Sequence, residues 1–451
     1  MDLIDRIVGV VGLGGVLVAE ESKAAYETDW TGRFGGSALC IVRPETAVQV
    51  AEVVQESVAA GVPVLPQGGL TGLVGGGVPR RSGLAPVIIS TRRLNWIGEV
   101  DPVSEQVTVG AGVTLAELHR HAARHGLEYG VDFASRDSAT IGGTIATNAG
   151  GLHVVAYGMT RAQVLGVEAV LPDGSIISRL NGLVKDNTGY DLSGLLVGSE
   201  GTLGIITAAR LRLRPRPTSI VTSLVTVDSM ATCLHVLRLI RTSLSGLRAV
   251  ELMFRPGIEE VCRTMGLPEP PVEPAPVYLL IEVAEDPDPV LRSLQVISEA
   301  SGVVGIASGV EKADRERLWS YRERHSEAVS ALGIPHKLDI AVPIPRLPDL
   351  VERLRPIVAP YRPIIWGHLG DGNLHVNVVG PAIDDEEVDT AIMRLVASLG
   401  GTISAEHGIG TAKAASLHLS RSNAEIDAMR TIKLALDPGL LFNPGVILSS
   451  C

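Results

Sequence analysis

The residues of this chain best suited to chemistry are gathered in Trp366-Gly367-His368-Leu369-Gly370-Asp371-Gly372-Asn373-Leu374-His375-Val376-Asn377 and, downstream, Ser404-Ala405-Glu406-His407-Gly408. An apolar run from Pro363 to Trp366 enters the first histidine, and alternating Leu374, Val376 and Val378 leave the second. That pattern predicts two strands joined by a tight loop, with Asp371-Gly372 as the turn. Folded back there, His368 and His375 become cross-strand neighbours, and Asn377 shares a face with His375. Two imidazoles and the Glu406 carboxylate make a three-ligand set for a borderline divalent ion such as Zn²⁺ or Mn²⁺, with positions open for a substrate. Structural zinc sites are closed, so the arrangement reads as catalytic. The alternative is a pair of hydrogen-bonded histidines beside a hairpin, and the same donor set would also serve a metallohydrolase that activates water.

Such a site needs a scaffold, and the sequence upstream alternates strands, helices and small-residue loops. Residues 38–43 read as a strand, and Pro44-Glu45-Thr46 opens a helix with Val50, Val53, Val54 and Val58 at helical spacing, stopped by Gly61. The strand Val62 to Leu65 delivers the chain into Pro66-Gln67-Gly68-Gly69-Leu70-Thr71-Gly72-Leu73-Val74-Gly75-Gly76-Gly77. So many glycines after a strand expose backbone amides as a cradle for phosphate oxygens; a plain surface loop is the alternative. Thr114-Leu115-Ala116-Glu117 has the form of a capping box. Two more small-residue stretches follow, Ser138 to Gly151 and Val197 to Thr207. Neither has the spacing or the strand-to-helix context of a Rossmann fingerprint, and three separate loops suggest a long cofactor lying across the domain.

After Pro217 strands and helices mix. Strands are predicted at 219–227, 249–254, 277–283 and 303–307, helices at 231–242, 290–300 and 384–398, and a proline-rich connection at 268–276, which suggests an α+β sandwich. Trp319 to Ser326 reads as one helix carrying Arg322 and Ser326 on one face.

Composition narrows the function classes. At 451 residues the chain has room for about two domains. Its 39 basic and 50 acidic residues form no basic stripe, which argues against a nucleic-acid partner. Cys40, Cys233, Cys262 and Cys451 are scattered without a CxxC, so no built-in iron–sulfur centre is expected and a reducing compartment fits. The apolar run from Ile7 to Val18 is short and broken by four glycines. It reads as neither signal peptide nor membrane span, and a soluble cytoplasmic protein is expected.

The glycine loops, Lys185-Asp186-Asn187-Thr188-Gly189-Tyr190-Asp191-Leu192 and the histidine hairpin together resemble the vanillyl-alcohol oxidase/p-cresol methylhydroxylase superfamily of FAD proteins. Within it they resemble the D-2-hydroxyacid dehydrogenase branch, most nearly the D-2-hydroxyglutarate dehydrogenases and also the D-lactate dehydrogenase and glycolate oxidase FAD subunits. The similarity runs from about Tyr26 to Val446. It implies an α+β, two-domain chain: an FAD-binding domain over 1–217, a substrate domain with the metal hairpin over 218–402, and a segment over 403–451 returning to the FAD domain. FAD contacts are implied from Pro66, Gln67, Gly68, Gly69, Leu70, Thr71 and Gly72; from Ser138, Ile141, Gly142, Gly143, Thr147, Asn148, Gly150 and Gly151; and from Glu200, Gly201, Gly204, Ile205, Ile206 and Asn443.

The same resemblance implies oxidation of a D-2-hydroxy acid by hydride transfer to flavin N5. The metal on His368, His375 and Glu406 would orient the substrate, and His407 would act as general base, imidazole being the side chain that titrates near neutrality. Arg322, Ser326, Lys337, Asn377 and His368 become substrate contacts; the alternatives are a solvated arginine on a helix and His407 as a partner that orients Glu406. Where the family has Tyr-Lys-Tyr-Asp this chain has His336-Lys337-Leu338-Asp339, Ser326 replaces threonine and Ala341 replaces serine. Fewer hydroxyls make the pocket less polar, so a lactate-like or mandelate-like acid competes with hydroxyglutarate. Leu70 stands where the family often has asparagine, and with no histidine in that loop FAD is expected to be noncovalent. Electrons would leave to a separate acceptor, an electron-transferring flavoprotein, a quinone or a cytochrome; direct use of O₂ is the rival, and a homodimer is compatible.

Overall fold

The computed structural model describes residues 2–449, and Cys451 lies outside them. The chain divides into two compact units, one of Met1–Gly151, Gly158–Arg216 and Glu406–Cys451, the other of Leu152–Tyr157 and Pro217–Ala405. Among the described residues the strands form three sheets, two in the first unit and one in the second.

In the first unit, β1 (Val16–Leu17), β2 (Cys40–Val42), β3 (Val64–Gln67) and β4 (Val87–Ser90) form a sheet in the order β1-β2-β4-β3. The pairs β2/β4 and β3/β4 are parallel, with β1 antiparallel at the edge. Parallel strands need a crossover, supplied by the helix Ala47–Ala59 with Thr46 as its N-cap. That helix buries Val50, Val53 and Val54 against the sheet side of the core, and Gly61 at φ +67° ends the segment. Phe442, near the chain's end, adds a parallel bridge to Val64.

The second sheet comprises β5 (Gln106–Gly110), β6 (Leu127–Tyr129), β7 (Val164–Val170), β8 (Ile176–Ser178) and β9 (Ile205–Pro215), in the order β5-β9-β7-β8 with β6 also on β9. The helix Leu115–Ala123 carries the expected capping box, Thr114 and Glu117 each satisfying the other's backbone amide.

The second unit is built on a seven-stranded sheet in the order β13-β10-β12-β11-β15-β16-β14. Its strands are β10 (Val221–Val227), β11 (Leu247–Phe254), β12 (Val277–Val283), β13 (Val303–Gly309), β14 (His336–Ala341), β15 (Arg362–His368) and β16 (Asn373–Val379). All its ladders are antiparallel. β10 and β12 are buried at every position, so both faces of the sheet's centre are covered. On one face Leu224, Met253, Tyr278, Leu280, Ile364 and Trp366 pack with Ile258, Leu318, Tyr321 and Val329, which come from the helices Arg255–Met265, Lys312–Glu323 and His325–Ser330. The single helix expected through residue 326 is therefore two, broken at Arg324.

Candidate active site

The apolar face just described turns polar toward the β14 edge. The register sets Glu251 opposite His368, His368 opposite Asn373, Trp366 opposite His375, and His375 and Asn377 opposite Asp339 and Lys337. Cross-strand partners share a face, so Glu251, His368, Asn373, His375, Asn377, Asp339 and Lys337 all lie on it. The hairpin expected at residues 366–377 is present, but the two histidines are diagonal rather than directly opposite, because the connection Leu369–Gly372 has four residues. Gly372, at φ +82°, closes it, and its amide donates to the His368 carbonyl at 3.1 Å.

Diagonal placement still brings the rings together. The Nε2 atoms of His368 and His375 lie 3.3 Å apart, with ring planes at 82°. Each ring has a buried carboxylate toward its other nitrogen: Glu251 Oε1 is hydrogen-bonded to His368 Nδ1 at 2.7 Å, and Asp339 Oδ1 lies 3.6 Å from His375 Nδ1, close enough for charge attraction but longer than a hydrogen bond. The Glu251 bond holds a proton at His368 Nδ1 and leaves its Nε2 as a lone pair, and carboxylate–histidine pairs of this form support metal ligands. Two nitrogens bound to one tetrahedral Zn²⁺ at about 2.0–2.1 Å stand roughly 3.3 Å from each other, so this pair of nitrogens fits such an ion. Trp366 lies against His375, with ring centroids 5.8 Å apart.

Asp339 is fully buried and well partnered. Asn373 Nδ2 donates to its Oδ1 at 2.8 Å and the Ala405 amide to its Oδ2 at 3.0 Å. The bond to Ala405 fixes the residue that immediately precedes Glu406. In the first unit, His407 Nε2 lies 3.8 Å from Glu406 Oε1, and both residues are half-buried.

Arg322, in the last turn of its helix, is buried, and its Nε donates to Glu251 Oε2 at 2.6 Å. Burial pushes the Glu251 carboxyl up, but the His368 and Arg322 charges and hydrogen bonds outweigh it and hold the group below the usual carboxylate range. Ser326, beyond the helix break, is exposed. Lys337 is half-buried, and burial lowers its pKa. Asn377 is buried on the same face. Glu251 was not anticipated from sequence; the available signal was an acidic residue in the middle of the apolar strand Ala249 to Phe254.

The residues expected to hold FAD converge in the first unit. Pro66 and Gln67 end β3, and Gln67 Nε2 donates to the Gly77 carbonyl at 2.7 Å, closing the first glycine loop. A Cβ on Gly69 would stand 1.9 Å from the Ser138 carbonyl oxygen, so the first and second loops touch backbone to backbone. The second loop contains a helix, Ile141–Thr147, ended by Asn148 in the left-handed region. Gly201 abuts Pro66, the Glu200 amide donates to Ala146, and Asn443 Nδ2 donates to both the Gly76 and Glu200 carbonyls, at 2.9 and 2.8 Å. The Glu200 carboxylate accepts the Ile409 and Gly410 amides, each at 2.8 Å, bracing the strand of chain that follows His407. Between Gly68 and Gly143 the Thr140 Oγ1 is buried without a hydrogen-bond partner among the described residues. Glycine-rich loops with exposed backbone amides and an orphaned hydroxyl fit a phosphate-bearing cofactor.

Residues 38–179 match the FAD binding domain family, and residues 216–447 match the C-terminal domain of FAD linked oxidases. The D-2-hydroxyglutarate dehydrogenase of Stutzerimonas stutzeri is 34% identical over 464 residues, covering 99% of each chain. The chain belongs to the D-2-hydroxyglutarate dehydrogenase family of FAD-linked oxidoreductases. The mitochondrial D-2-hydroxyglutarate dehydrogenase of Bos taurus is 35% identical over 442 residues, 96% of this chain and 80% of that one. The structure of p-cresol methylhydroxylase with substrate bound superposes with a TM-score of 0.75 at 15% identity, covering 98% of this chain and 95% of that one, and so shows the shared fold. Family membership makes this chain an FAD-dependent enzyme, which sets aside the metallohydrolase reading of the histidine pair.

Proposed function

We propose that the protein oxidises a D-2-hydroxy acid to the 2-oxo acid, with FAD as hydride acceptor and a divalent metal at His368, His375 and Glu406. The observation that carries the metal reading is the 3.3 Å separation of two Nε2 atoms, each ring backed by a buried carboxylate. FAD, held noncovalently by the glycine loops, supplies the two-electron acceptor when bound. A Zn²⁺ or Mn²⁺ ion supplies the positive charge that orients the substrate and acidifies its hydroxyl.

The chain's own residues do the rest. Arg322, whose Nε is engaged by Glu251, offers its outer guanidinium edge to a substrate carboxylate. Lys337 and Asn377, on the same sheet face as the histidines, add a second donor set, and Ser326 adds a hydroxyl. His407 takes the hydroxyl proton as general base. The fully buried Asp339 holds the Ala405 amide and so steadies the chain leading into this pair.

D-2-hydroxyglutarate is the first substrate to try, since the relatives bear that name. Ala341, on the site face of β14 with Lys337 and Asp339, favours D-lactate or D-mandelate by comparison, whereas Leu338 lies on the opposite face, so the lost hydroxyl expected there does not bear on the pocket. Electrons pass to a separate acceptor, an electron-transferring flavoprotein, a quinone or a cytochrome. Among the described residues no helix is long and apolar enough to cross a membrane, and we place the protein in the cytoplasm on its scattered cysteines. The test is metal content against turnover: dialysis with EDTA should remove one ion per chain and the activity with it, and Zn²⁺ or Mn²⁺ should restore both. Full turnover in metal-free protein would contradict the assignment.

A further inference from the structure

Glu251 stands where two functions meet. Its strand position opposite His368 aims one carboxylate oxygen at His368 Nδ1, 2.7 Å away, and the other at Arg322 Nε, 2.6 Å away. The three residues are 71 and 117 positions apart in sequence, so only the fold brings them together. Glu251 is 1% exposed and Arg322 7%, which removes competing water from both bonds. An arginine whose Nε is occupied can turn only about that bond, so the direction of its Nη1/Nη2 edge is set by Glu251. An imidazole whose Nδ1 proton is held by a carboxylate has its tautomer and ring plane set in the same way.

We propose that Glu251 is a positioning residue shared by the two halves of the substrate clamp: one oxygen orients His368 for the metal, and the other orients Arg322 for the substrate carboxylate. This rests on the metal and carboxylate roles proposed above for His368 and Arg322. A carboxylate that served only the folding of the sheet would affect neither metal affinity nor the contribution of Arg322 to substrate binding in folded protein.

The test reads the two halves separately, in FAD-loaded protein. Zinc affinity is measured by competition with a chromogenic chelator after metal removal, which needs no turnover. KM for D-2-hydroxyglutarate and for D-lactate is measured in zinc-replete enzyme. Glu251→Gln should weaken zinc binding by about 10- to 100-fold, the usual effect of losing such a partner, and should also raise KM. Arg322→Met should raise KM and leave zinc affinity within about threefold. Combined, the two substitutions should raise KM little beyond either alone, because residues acting through one another are not additive. Glu251→Gln leaves the buried Arg322 charge uncompensated and can compromise folding. Glu251→Asp is then the second variant: it keeps the charge, is one methylene too short to reach both partners, and should move both readouts in the same direction. A folded variant with unchanged zinc affinity, or with fully additive KM effects, would overturn the proposal while leaving the metal site standing. Wild-type protein that binds no zinc with or without substrate would contradict the metal reading and this inference together.

Discussion

Asp339 Oδ1 lies 3.6 Å from His375 Nδ1 while its Oδ2 accepts the Ala405 amide at 3.0 Å, so one buried carboxylate touches the surroundings of two proposed ligands. Asp339→Asn keeps the shape and removes the charge. The expected result is a 10- to 100-fold loss of metal affinity with FAD content unchanged, read by chelator competition and by the flavin spectrum.

His407 is assigned the proton transfer. His407→Ala should lower the rate of flavin reduction by about 10²- to 10⁴-fold, the range for a positioned general base, with FAD and metal still bound. Stopped-flow reduction at saturating substrate checks it. An undiminished rate would remove His407 from that role.

Glycines in the first loop serve two different ends. Gly69 packs against the Ser138 carbonyl, where a Cβ would sit at 1.9 Å, whereas a Cβ on Gly72 meets nothing within 4 Å. Gly69→Ala should therefore destabilise the protein even without flavin. Gly72→Ala should leave apoprotein stability within about 0.5 kcal/mol and weaken FAD binding. Melting of apo and FAD-loaded protein separates the two effects.

His325 adds a pH dependence that belongs to the fold. It is fully buried against Trp366, and its Nδ1 is 3.2 Å from the Arg322 carbonyl. Its Nε2 has no hydrogen-bond partner among the described residues. Burial, reinforced by the nearby Arg322 charge, pushes its pKa from 6.5 down to about 3. Between those values the unfolded chain binds a proton that the folded chain does not. The stabilisation is thus complete above pH 6.5 and falls as pH drops toward 3, by about 1.4 kcal/mol per unit. Urea unfolding from pH 7 to pH 5 should show this slope in wild-type protein and a shallower one in His325→Gln.

Much of this was legible from local pattern. The strand at Val277–Val283 and the Thr114–Glu117 capping box follow from periodicity and cap chemistry, both short-range. The hairpin was legible for the same reason, although the diagonal offset of His368 and His375 depends on loop length and ladder register, which alternation alone does not specify. The break at Arg324 falls inside a segment of good helix formers with no glycine or proline to mark it. Glu251 was hidden because its partners are distant in sequence; only the register that sets β11 beside β15 makes it part of the site. Leu70, expected to be tolerated in a backbone cradle, sits at φ +58°, a conformation asparagine adopts more easily than leucine, so the loop's geometry is retained despite the substitution.

The most direct measurement of the central claim is anaerobic flavin reduction. FAD-loaded enzyme is mixed with D-2-hydroxyglutarate, D-lactate or D-mandelate, with the L-enantiomers as controls, before and after treatment with EDTA. Rapid bleaching by at least one D-acid, absent with its L-enantiomer and lost on metal removal, is the expected result. Flavin that stays oxidised with every D-acid, or bleaches equally fast without metal, would contradict the account.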